Sequence, residues 1–228
     1  VYTVGPDSHT LNPEYLPEWA QQQKGPSRFD ELLAFSRGKT LPIVDLRPTL
    51  IAAKATHPVS YKTDSHWNTY GAFVAYQALM RYFRGDGAEI GEDRVRSSDL
   101  SFQPIDTEGM DLTVLAGLQS ALRERSEQPK YSGSIRFDEG DRKGLHFTTH
   151  NPQGIPLTVI CVCDSMAGNL YPYLARHFRT VRVMWGYPFD IEEMKRYKPD
   201  IIIQLVIERT LAWTLKDNPS EVRAALKR

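Results

Sequence analysis

The C-terminal third of the chain alternates between two patterns of apolar residues. Residues 157–163 (LTVICVC) and 201–207 (IIIQLVI) are continuous runs of apolar, largely β-branched side chains, which are typical of strands buried on both faces. Between them, residues 181–185 alternate as in a third strand, and apolar side chains at helical spacing predict a helix over 170–178. A second helix is predicted over 190–198, because Asp190 and Glu193 form a capping pattern and Pro199 ends the helix. Because strands and helices follow one another at short spacing, we predict right-handed crossovers and a parallel sheet.

The N-terminal part of the chain continues this pattern. Residues 1–4 and 42–46 are short strand candidates, and a helix is predicted between them over 29–36. From Asn68 to Arg84, apolar and aromatic residues recur at the spacing of an amphipathic helix. We therefore predict an α/β fold in which helices flank a parallel sheet.

Residues 85–155 interrupt the α/β pattern. This stretch is polar and rich in glycine and charged residues, with one helical piece near 112–125 and two strand-like pieces at 131–137 and 145–149. We interpret it as a polar insertion on the rim of the sheet that forms part of a substrate cleft. The insertion then belongs to a single domain that spans residues 1–228.

Charge and composition narrow the range of functions. Lysine plus arginine and aspartate plus glutamate are 28 each, so the net charge is zero and no nucleic-acid partner is indicated. Hydrophobic content of 41% is that of a folded chain. No apolar run approaches the ~20 residues of a bilayer span. The chain opens at Val1 in strand-like sequence, which we interpret as a mature fragment whose signal or anchor lay upstream.

The first motif that could carry chemistry is Asp164-Ser165, which follows a buried strand and precedes a helix. Ligands of open α/β sheets bind outside the carboxyl ends of the strands. The N-terminus of a helix there offers free N–H groups and partial positive charge, which suits a nucleophilic serine whose oxyanion needs donors. The alternative is a helix cap, since serine and aspartate are common at such positions, and the motif alone favours the cap.

The second motif is residues 62–68 (KTDSHWN), directly before the predicted helix that starts near Asn68. Asp64 and His66 are two positions apart, so an extended backbone places both side chains on one side. A carboxylate beside an imidazole fixes its tautomer and stabilises the imidazolium. Trp67 could shield this pair or stack on a sugar ring. The alternative is a solvated loop in which Asn68 caps the helix and Trp67 packs in the core.

Two stretches resemble signatures of the periplasmic alginate O-acetyltransferases. Residues 64–73 (DSHWNTYGAF) are similar to the Asp-x-His-Trp signature of this family, and residues 164–174 (DSMAGNLYPYL) resemble its serine block. Weaker similarity at 13–17 and 198–209 extends the resemblance over nearly the whole chain. Members have an SGNH-hydrolase-like fold in which the Asp-x-His block precedes the serine block, and this chain has that order.

The resemblance implies a catalytic triad. Ser165 is the expected nucleophile, His66 the general base and then acid, and Asp64 the residue that orients His66. Ser165 would accept an acetyl group as an acyl-enzyme and pass it to a hydroxyl of an exopolysaccharide such as alginate. Two alternatives remain: a carbohydrate acetyl esterase with the same triad, in which water replaces the sugar hydroxyl, and a non-catalytic polysaccharide-binding assembly subunit that keeps the fold.

The resemblance also implies substrate-binding residues and a location. Trp67, Tyr171 and Arg209 are the candidates for binding substrate, although Tyr171 could instead pack its helix and Arg209 could pair with Glu208. The expected partners are a polysaccharide acceptor and a membrane protein that delivers the acetyl donor. The expected location is the periplasm, with an anchor to the inner membrane upstream of Val1.

The chain departs from the family pattern at Cys163, where a glycine usually precedes Asp-Ser. This changes the room beneath the nucleophile turn. For the oxyanion, the backbone N–H of Ser165 and the side chain of Asn169 are the candidate donors. Cys161 and Cys163 lie two positions apart on a strand, where they cannot easily form a disulfide, and are interpreted as small buried side chains.

The remaining histidines do not make a convincing metal site. His57 could be combined with Asp64 and His66, but the spacing does not support a ligand set, and a packed or solvated histidine is favoured. His146 and His150 lie four positions apart on a predicted strand and therefore share one face, which is weak support for a metal site. We therefore predict no metal cofactor. A nucleotide cofactor is not predicted either, because the sequence contains no phosphate-binding loop or dinucleotide-binding motif. Four further side chains are interpreted as packing residues: Trp19, His177, Trp185 and Trp213.

Overall fold

A central sheet of seven strands organises the protein in a computed structural model that describes residues 1–22 and 25–211. The described residues form nine strands, seven of them in this sheet: β1 (Tyr2–Gly5), β2 (Ile43–Val44), β3 (Leu100–Glu108), β4 (Arg123–Tyr131), β5 (Asp138–Lys143), β6 (His146–His150), β7 (Ile155–Cys163), β8 (Phe178–Trp185) and β9 (Ile201–Ile207). The α-helices are α1 (Ser8–Leu11), α2 (Glu18–Gln22), α3 (Arg28–Ser36), α4 (Arg47–Ala53), α5 (Thr69–Gly85), α6 (Asp111–Leu115), α7 (Ala167–His177) and α8 (Ile191–Tyr197).

The order of strands in the central sheet is β2-β1-β9-β7-β8-β6-β5. The first five of these are parallel, as predicted, and β6 and β5 add an antiparallel edge. The strand predicted over 145–149 is confirmed as β6, but it belongs to the central sheet. The predicted insertion therefore completes one side of the sheet, and its other part forms a separate antiparallel hairpin, β3–β4.

Strand β7 shows why the sheet is buried on both faces. Val159, Cys161 and Cys163 point into the main core, which also contains the apolar sides of α5 and α7. Ile160 and Val162 point to the opposite face and pack with residues of β8 and α8. Both cysteines are buried and free, as expected. Within the described residues, no helix combines the length and apolar character needed to cross a membrane.

The predictions for the hairpin region are partly wrong. The helix predicted near 112–125 is limited to α6, because Gly117 follows it with a φ of +69° and the chain then turns into β4. Residues 123–131 pair with β3 along their whole length, so they form a strand. The strand predicted over 131–137 is absent from the described structure, since β4 ends at Tyr131 where the prediction began.

The prediction that Trp19 and Trp185 pack in the core is also wrong. Trp19 is 67% exposed because the short helix α2 that carries it buries none of its residues. Trp185 is 36% exposed because it is the last residue of β8 and leaves the sheet at its carboxyl edge. Trp213 lies outside the described residues.

Candidate active site

The loop before α5 is closed on itself and held against that helix. Ser60 and Trp67 form an isolated antiparallel bridge, and the backbone N–H of Asn68 donates to the carbonyl of Val59 at 3.0 Å. The Asn68 side chain caps α5 by accepting the Gly71 N–H at 2.9 Å. A Cβ at Gly71 would lie 2.1 Å from the Val59 carbonyl oxygen, so only glycine allows this approach. The predicted cap role of Asn68 is confirmed.

The turn after β7 is held by Asp164. Its Oδ1 accepts the Met166 N–H at 3.0 Å, and its Oδ2 accepts the Ile207 N–H at 2.6 Å, so the carboxylate joins the ends of β7 and β9. Burial raises the pKa of Asp164. Because the aspartate supplies the capping contacts, the hydroxyl of Ser165 is left to face the crevice at the carboxyl edge of the sheet.

The two motifs meet at that edge. Nε2 of His66 lies 2.6 Å from Oγ of Ser165, and Nδ1 of His66 lies 2.5 Å from Oδ1 of Asp64. The same Oδ1 accepts the backbone N–H of His66 at 2.8 Å. With the Nδ1 proton on the aspartate side, Nε2 presents its lone pair to the serine hydroxyl. The three residues thus form a connected Ser-His-Asp relay, the arrangement needed for nucleophilic catalysis.

The charges of the relay support each other. The hydrogen bond to Asp64 raises the pKa of His66 above its usual value, although burial opposes this effect. Burial alone would raise the pKa of Asp64, but the hydrogen bonds from the His66 ring and backbone outweigh it, and the pKa is lowered. Asp64 therefore stays ionised, and the protonated form of His66 is stabilised, which favours proton transfer from Ser165.

A family model described as "SGNH hydrolase-like domain, acetyltransferase AlgX" matches residues 1–176. The chain belongs to this AlgX acetyltransferase family. Its central sheet with flanking helices is accordingly an SGNH-hydrolase-like fold, as the resemblance implied. None of the curated proteins matches the sequence at a significant level.

Solved structures share the fold of this AlgX-family chain at low sequence identity. PatB1 from Bacillus cereus, solved with a sulfonyl adduct, has a TM-score of 0.68 and 13% identity, over 92% of this chain and 81% of PatB1. The O-acetyltransferase domain of Pseudomonas putida AlgJ has a TM-score of 0.58 and 18% identity, over 99% of this chain and 81% of the AlgJ chain. Pseudomonas aeruginosa AlgX has a TM-score of 0.56 and 14% identity, over 91% of this chain and 52% of the AlgX chain.

Arg209 lies beside the relay in this AlgX-family chain. Its guanidinium forms an ion pair with the buried carboxylate of Asp7, and its Nη2 donates to the hydroxyl of Ser65 at 3.0 Å. The pairing with Glu208 considered above is not observed, because Glu208 accepts the Asp7 N–H at 3.1 Å and the Thr10 hydroxyl at 2.6 Å. Arg209 thus places a positive charge at the rim of the crevice.

Trp67 and Tyr171 do not line the crevice. Trp67 is 1% exposed, so it cannot stack on a sugar, and the core alternative is the observed one. Its indole N–H donates to the carbonyl of Met166 at 2.9 Å, which joins the histidine loop to the serine turn. The Tyr171 hydroxyl donates to Glu139 at 2.7 Å, and its ring packs edge-on against Phe147. Tyr171 therefore packs α7 against β5 and β6.

The two candidate oxyanion donors differ. The side-chain amide of Asn169 donates to the carbonyl of Trp67 at 3.1 Å, so it serves the structure of the loop. The backbone N–H of Ser165 donates to no acceptor among the described residues and stays available for an oxyanion. Beneath the turn, Cys163 is fully buried, and its thiol lies 3.7 Å from the carbonyl of Met184.

The histidines considered as metal ligands are dispersed. His57 stacks on Phe102 with ring centroids 3.7 Å apart. In the described part of the chain, His146 and His150 have no third ligand near them. A different group, Asp64, His66 and Asp111, has ligand atoms within 4.8 Å of one another. Their facing atoms are already engaged in hydrogen bonds to one another and to Ser65, which is the pattern of a held imidazole.

Sequence reasoning missed two carboxylates of the β3–β4 hairpin that contact the histidine loop. Asp111 accepts hydrogen bonds from Ser65, and Glu124 accepts hydrogen bonds from Lys62 and Thr63. Neither lies in a recognisable motif. The signal that could have found Glu124 is weak: it is an acidic residue within a stretch that was interpreted as a helix.

Proposed function

We propose that this protein is an O-acetyltransferase that moves an acetyl group through Ser165 onto hydroxyls of an exopolysaccharide such as alginate. The observation that carries the proposal is the 2.6 Å contact between Nε2 of His66 and Oγ of Ser165, in a chain of the AlgX family. The contact is at hydrogen-bond distance before any substrate binds.

The relay supports a two-step mechanism. Oγ of Ser165 attacks the acetyl carbonyl of the donor while Nε2 of His66 takes the hydroxyl proton, and Asp64 stabilises the resulting imidazolium. The oxyanion of the tetrahedral intermediate accepts the backbone N–H of Ser165. The donor's leaving group departs with the proton from His66, and an acetyl ester remains on Ser165. A sugar hydroxyl then gives its proton to His66, attacks this ester and leaves as the acetylated sugar, and the proton returns to Ser165.

An open cavity beside the histidine loop supports a polymeric acceptor. Its volume is about 680 Å³, and its walls include the aromatic side chains of Tyr15 and Tyr61 and the exposed Lys62. Ser8 also lines the cavity, and its hydroxyl lies 3.4 Å from the carbonyl of Asp64. Aromatic and cationic side chains beside the loop that carries His66 suit a sugar chain that continues away from Ser165.

We further propose a cellular setting for this reaction. The domain acts in the periplasm, anchored to the inner membrane, and a membrane protein delivers the acetyl donor to Ser165. This part of the proposal is tested by locating the tagged full-length protein after cell fractionation. Recovery in the cytosolic fraction would contradict it.

The two alternative functions differ in how they fit the relay. A non-catalytic binding subunit has no need for a serine within hydrogen-bond distance of His66, so the observed contact counts against it. An esterase would use the same acyl-enzyme and release acetate to water. Only the fate of the acyl group distinguishes an esterase from a transferase.

The test follows the acyl group by intact mass and peptide mapping after brief exposure to 4-nitrophenyl acetate. We expect an acetyl adduct on Ser165 that is absent in Ser165→Ala and present in the matched control Ser97→Ala, which alters an exposed serine of the hairpin region. Discharge of the adduct faster by an oligosaccharide than by buffer supports the transferase. Equal discharge supports the esterase, and an adduct that persists in Ser165→Ala contradicts the proposed nucleophile.

A further inference from the structure

The β3–β4 hairpin reaches the histidine loop with a fully buried carboxylate. Glu124 is 0% exposed and lies on β4. It accepts the backbone N–H of Lys62 at 3.0 Å, the N–H of Thr63 at 2.8 Å and the hydroxyl of Thr63 at 2.7 Å. A buried charge is costly unless several donors satisfy it, and here the donors all come from the loop that carries His66.

A second carboxylate from the same hairpin lies next to the imidazole. Oδ1 of Asp111 accepts the Ser65 N–H at 2.7 Å, and its Oδ2 accepts the Ser65 hydroxyl at 2.5 Å. Oδ2 of Asp111 also lies 3.5 Å from Nδ1 of His66. Since Ser65 stands between Asp64 and His66 in the chain, Asp111 fixes the backbone on which both relay residues sit.

The loop and the hairpin are joined by backbone contacts as well. The N–H of Met110 donates to the Thr63 hydroxyl at 3.2 Å, and the N–H of Leu112 donates to the Thr63 carbonyl at 3.1 Å. Thr63 therefore contacts both ends of the connection between β3 and β4. Residues 110–112 follow β3, and Glu124 lies near the start of β4. The hairpin itself does not pair with the central sheet, and these contacts tie it to the loop that carries His66.

We propose that Asp111 and Glu124 are positioning residues, through which the hairpin holds His66 in register with Ser165. Glu124 fixes the backbone of the loop, and Asp111 holds Ser65 and places a second negative charge beside the imidazole. The inference rests on the proposed role of His66 as the general base. It assigns to the hairpin a part in the acyl-transfer reaction itself.

Four charged groups face His66 from the elements packed around it. Asp64 on its own loop is the main cause of its raised pKa, Asp111 of the hairpin adds to the effect, and Arg209 after β9 opposes it. Asp164 after β7 also interacts with the imidazole. Asp111→Asn keeps oxygen and hydrogen-bonding capacity next to Ser65 but removes the charge. This variant should therefore lower the pKa of His66 while leaving the fold in place.

The first experiment measures the rate of Ser165 acetylation by 4-nitrophenyl acetate against pH, together with an NMR titration of the His66 ring. For Asp111→Asn we expect the acid limb of the rate profile and the His66 titration both to move to lower pH, with a maximal rate about tenfold lower. The matched control is Asp106→Asn, an exposed carboxylate of β3 that pairs with Arg123 and should change neither readout. Unchanged titration and rate in Asp111→Asn would overturn the role of Asp111.

The role of Glu124 is tested through its partner Thr63, because Glu124→Gln places an amide donor against the buried N–H groups of the loop, and a loss of folding would not report on positioning. Thr63→Val removes only the hydroxyl that joins Glu124 to Met110. We expect Thr63→Val to lower the maximal acetylation rate about tenfold, with the KM for the ester unchanged. A rate equal to that of the wild type in this variant would overturn the positioning role of Glu124.

The two proposals can fail separately. If wild-type Ser165 is never acetylated, the proposed function fails, but the NMR titration of His66 in Asp111→Asn still decides whether Asp111 acts on the imidazole. If Ser165 is acetylated and both variants behave as the wild type, the proposed function stands and the positioning role of the hairpin is wrong.

Discussion

His66 and His177 show how the same ring behaves in two regions of the molecule. In the active site, Nδ1 of His66 faces a carboxylate, and this contact raises its pKa. In the core between α5 and α7, Nδ1 of His177 accepts the Tyr76 hydroxyl at 2.7 Å, and Nε2 donates to the Ile90 carbonyl at 3.0 Å. Burial lowers the pKa of His177 to about 4.

The difference lies in the charge of the partner. Both rings are largely removed from water, which disfavours the protonated form in each case. Only His66 has an ionised neighbour at hydrogen-bond distance to compensate. The tautomers are also opposite: His66 carries its proton on Nδ1 and offers Nε2 to Ser165, whereas His177 donates from Nε2. One histidine is prepared to accept a proton, and the other is a neutral core residue, as its position in the helix predicted.

The largest expected effect on the acetylation rate comes from replacing Asp64, the charged partner of His66. Asp64→Asn should reduce the rate of Ser165 acetylation by about 10³-fold to 10⁴-fold, because an asparagine can hold the ring in the wrong tautomer and cannot stabilise the imidazolium. The rate is measured in a single turnover. Asp45→Asn is the control and should leave the rate unchanged, because this carboxylate follows the edge strand β2 and pairs with Arg47 instead of a residue of the relay.

The next effect concerns His177 and the stability of the fold. Since the folded-state pKa is about 4 and the ordinary value is 6.5, the unfolded chain binds a proton that the folded chain excludes as the pH falls through this window. The free energy of unfolding should therefore drop by about 3 kcal/mol from pH 7 to pH 4 through this group. Urea unfolding at several pH values measures it. His177→Gln should remove this part of the pH dependence, and an unaltered slope would contradict the assignment.

The acid limb of catalysis tests the opposite shift at His66. Because His66 must be neutral to accept the serine proton, and Asp64 raises its pKa, the acetylation rate should fall below a midpoint that lies above the ordinary ~6.5. Each further pH unit below the midpoint should cost about tenfold in rate. A midpoint below the pKa of a free histidine would contradict the opposite shifts of His66 and His177.

The smallest effect is expected at Tyr76, the neutral hydrogen-bond partner of His177. Tyr76→Phe removes the hydroxyl that donates to His177, and the buried Nδ1 is left with only a long contact of 3.5 Å from the Arg94 N–H. The free energy of unfolding should decrease by about 1 kcal/mol, and acetylation of Ser165 should not change. Thermal unfolding and the acetylation assay, done on the same preparation, measure both quantities.

The parts of the fold with a strong local pattern could be predicted from the sequence. Residues 157–163 and 201–207 have no polar face, so they read as strands buried on both sides and became β7 and β9. The two-residue spacing of Asp64 and His66 likewise predicted their contact, whereas the contact of His66 with Ser165, 99 residues further along the chain, was expected only from the family resemblance. The strands and the Asp64–His66 pair depend on neighbours within a few residues, which is why the sequence reveals them.

The contacts of the hairpin could not be predicted in this way. Asp111 and Glu124 lie in a polar stretch without periodicity, and their partners are 46 to 62 residues away in the chain. The segment near 112–125 has aliphatic residues at helical intervals, but Gly117 ends the helix and the antiparallel pairing with β3 overrides the local preference. The polar composition predicted an insertion on the rim of the sheet that forms part of a substrate cleft, but it did not indicate that Asp111 and Glu124 would bind the catalytic loop.

The position of β9 has a consequence for how the active site is made. β9 lies between β1, at the start of the chain, and β7, which leads to Ser165. During synthesis, β1 and the histidine loop leave the ribosome long before the strand that joins them to β7. Contacts over such long separations form slowly, because the intervening chain must be closed into a loop first. The sheet can therefore join β1 to β7 only after β9 has been synthesised, and a nascent chain that ends before Ile201 has no continuous sheet beneath the active site.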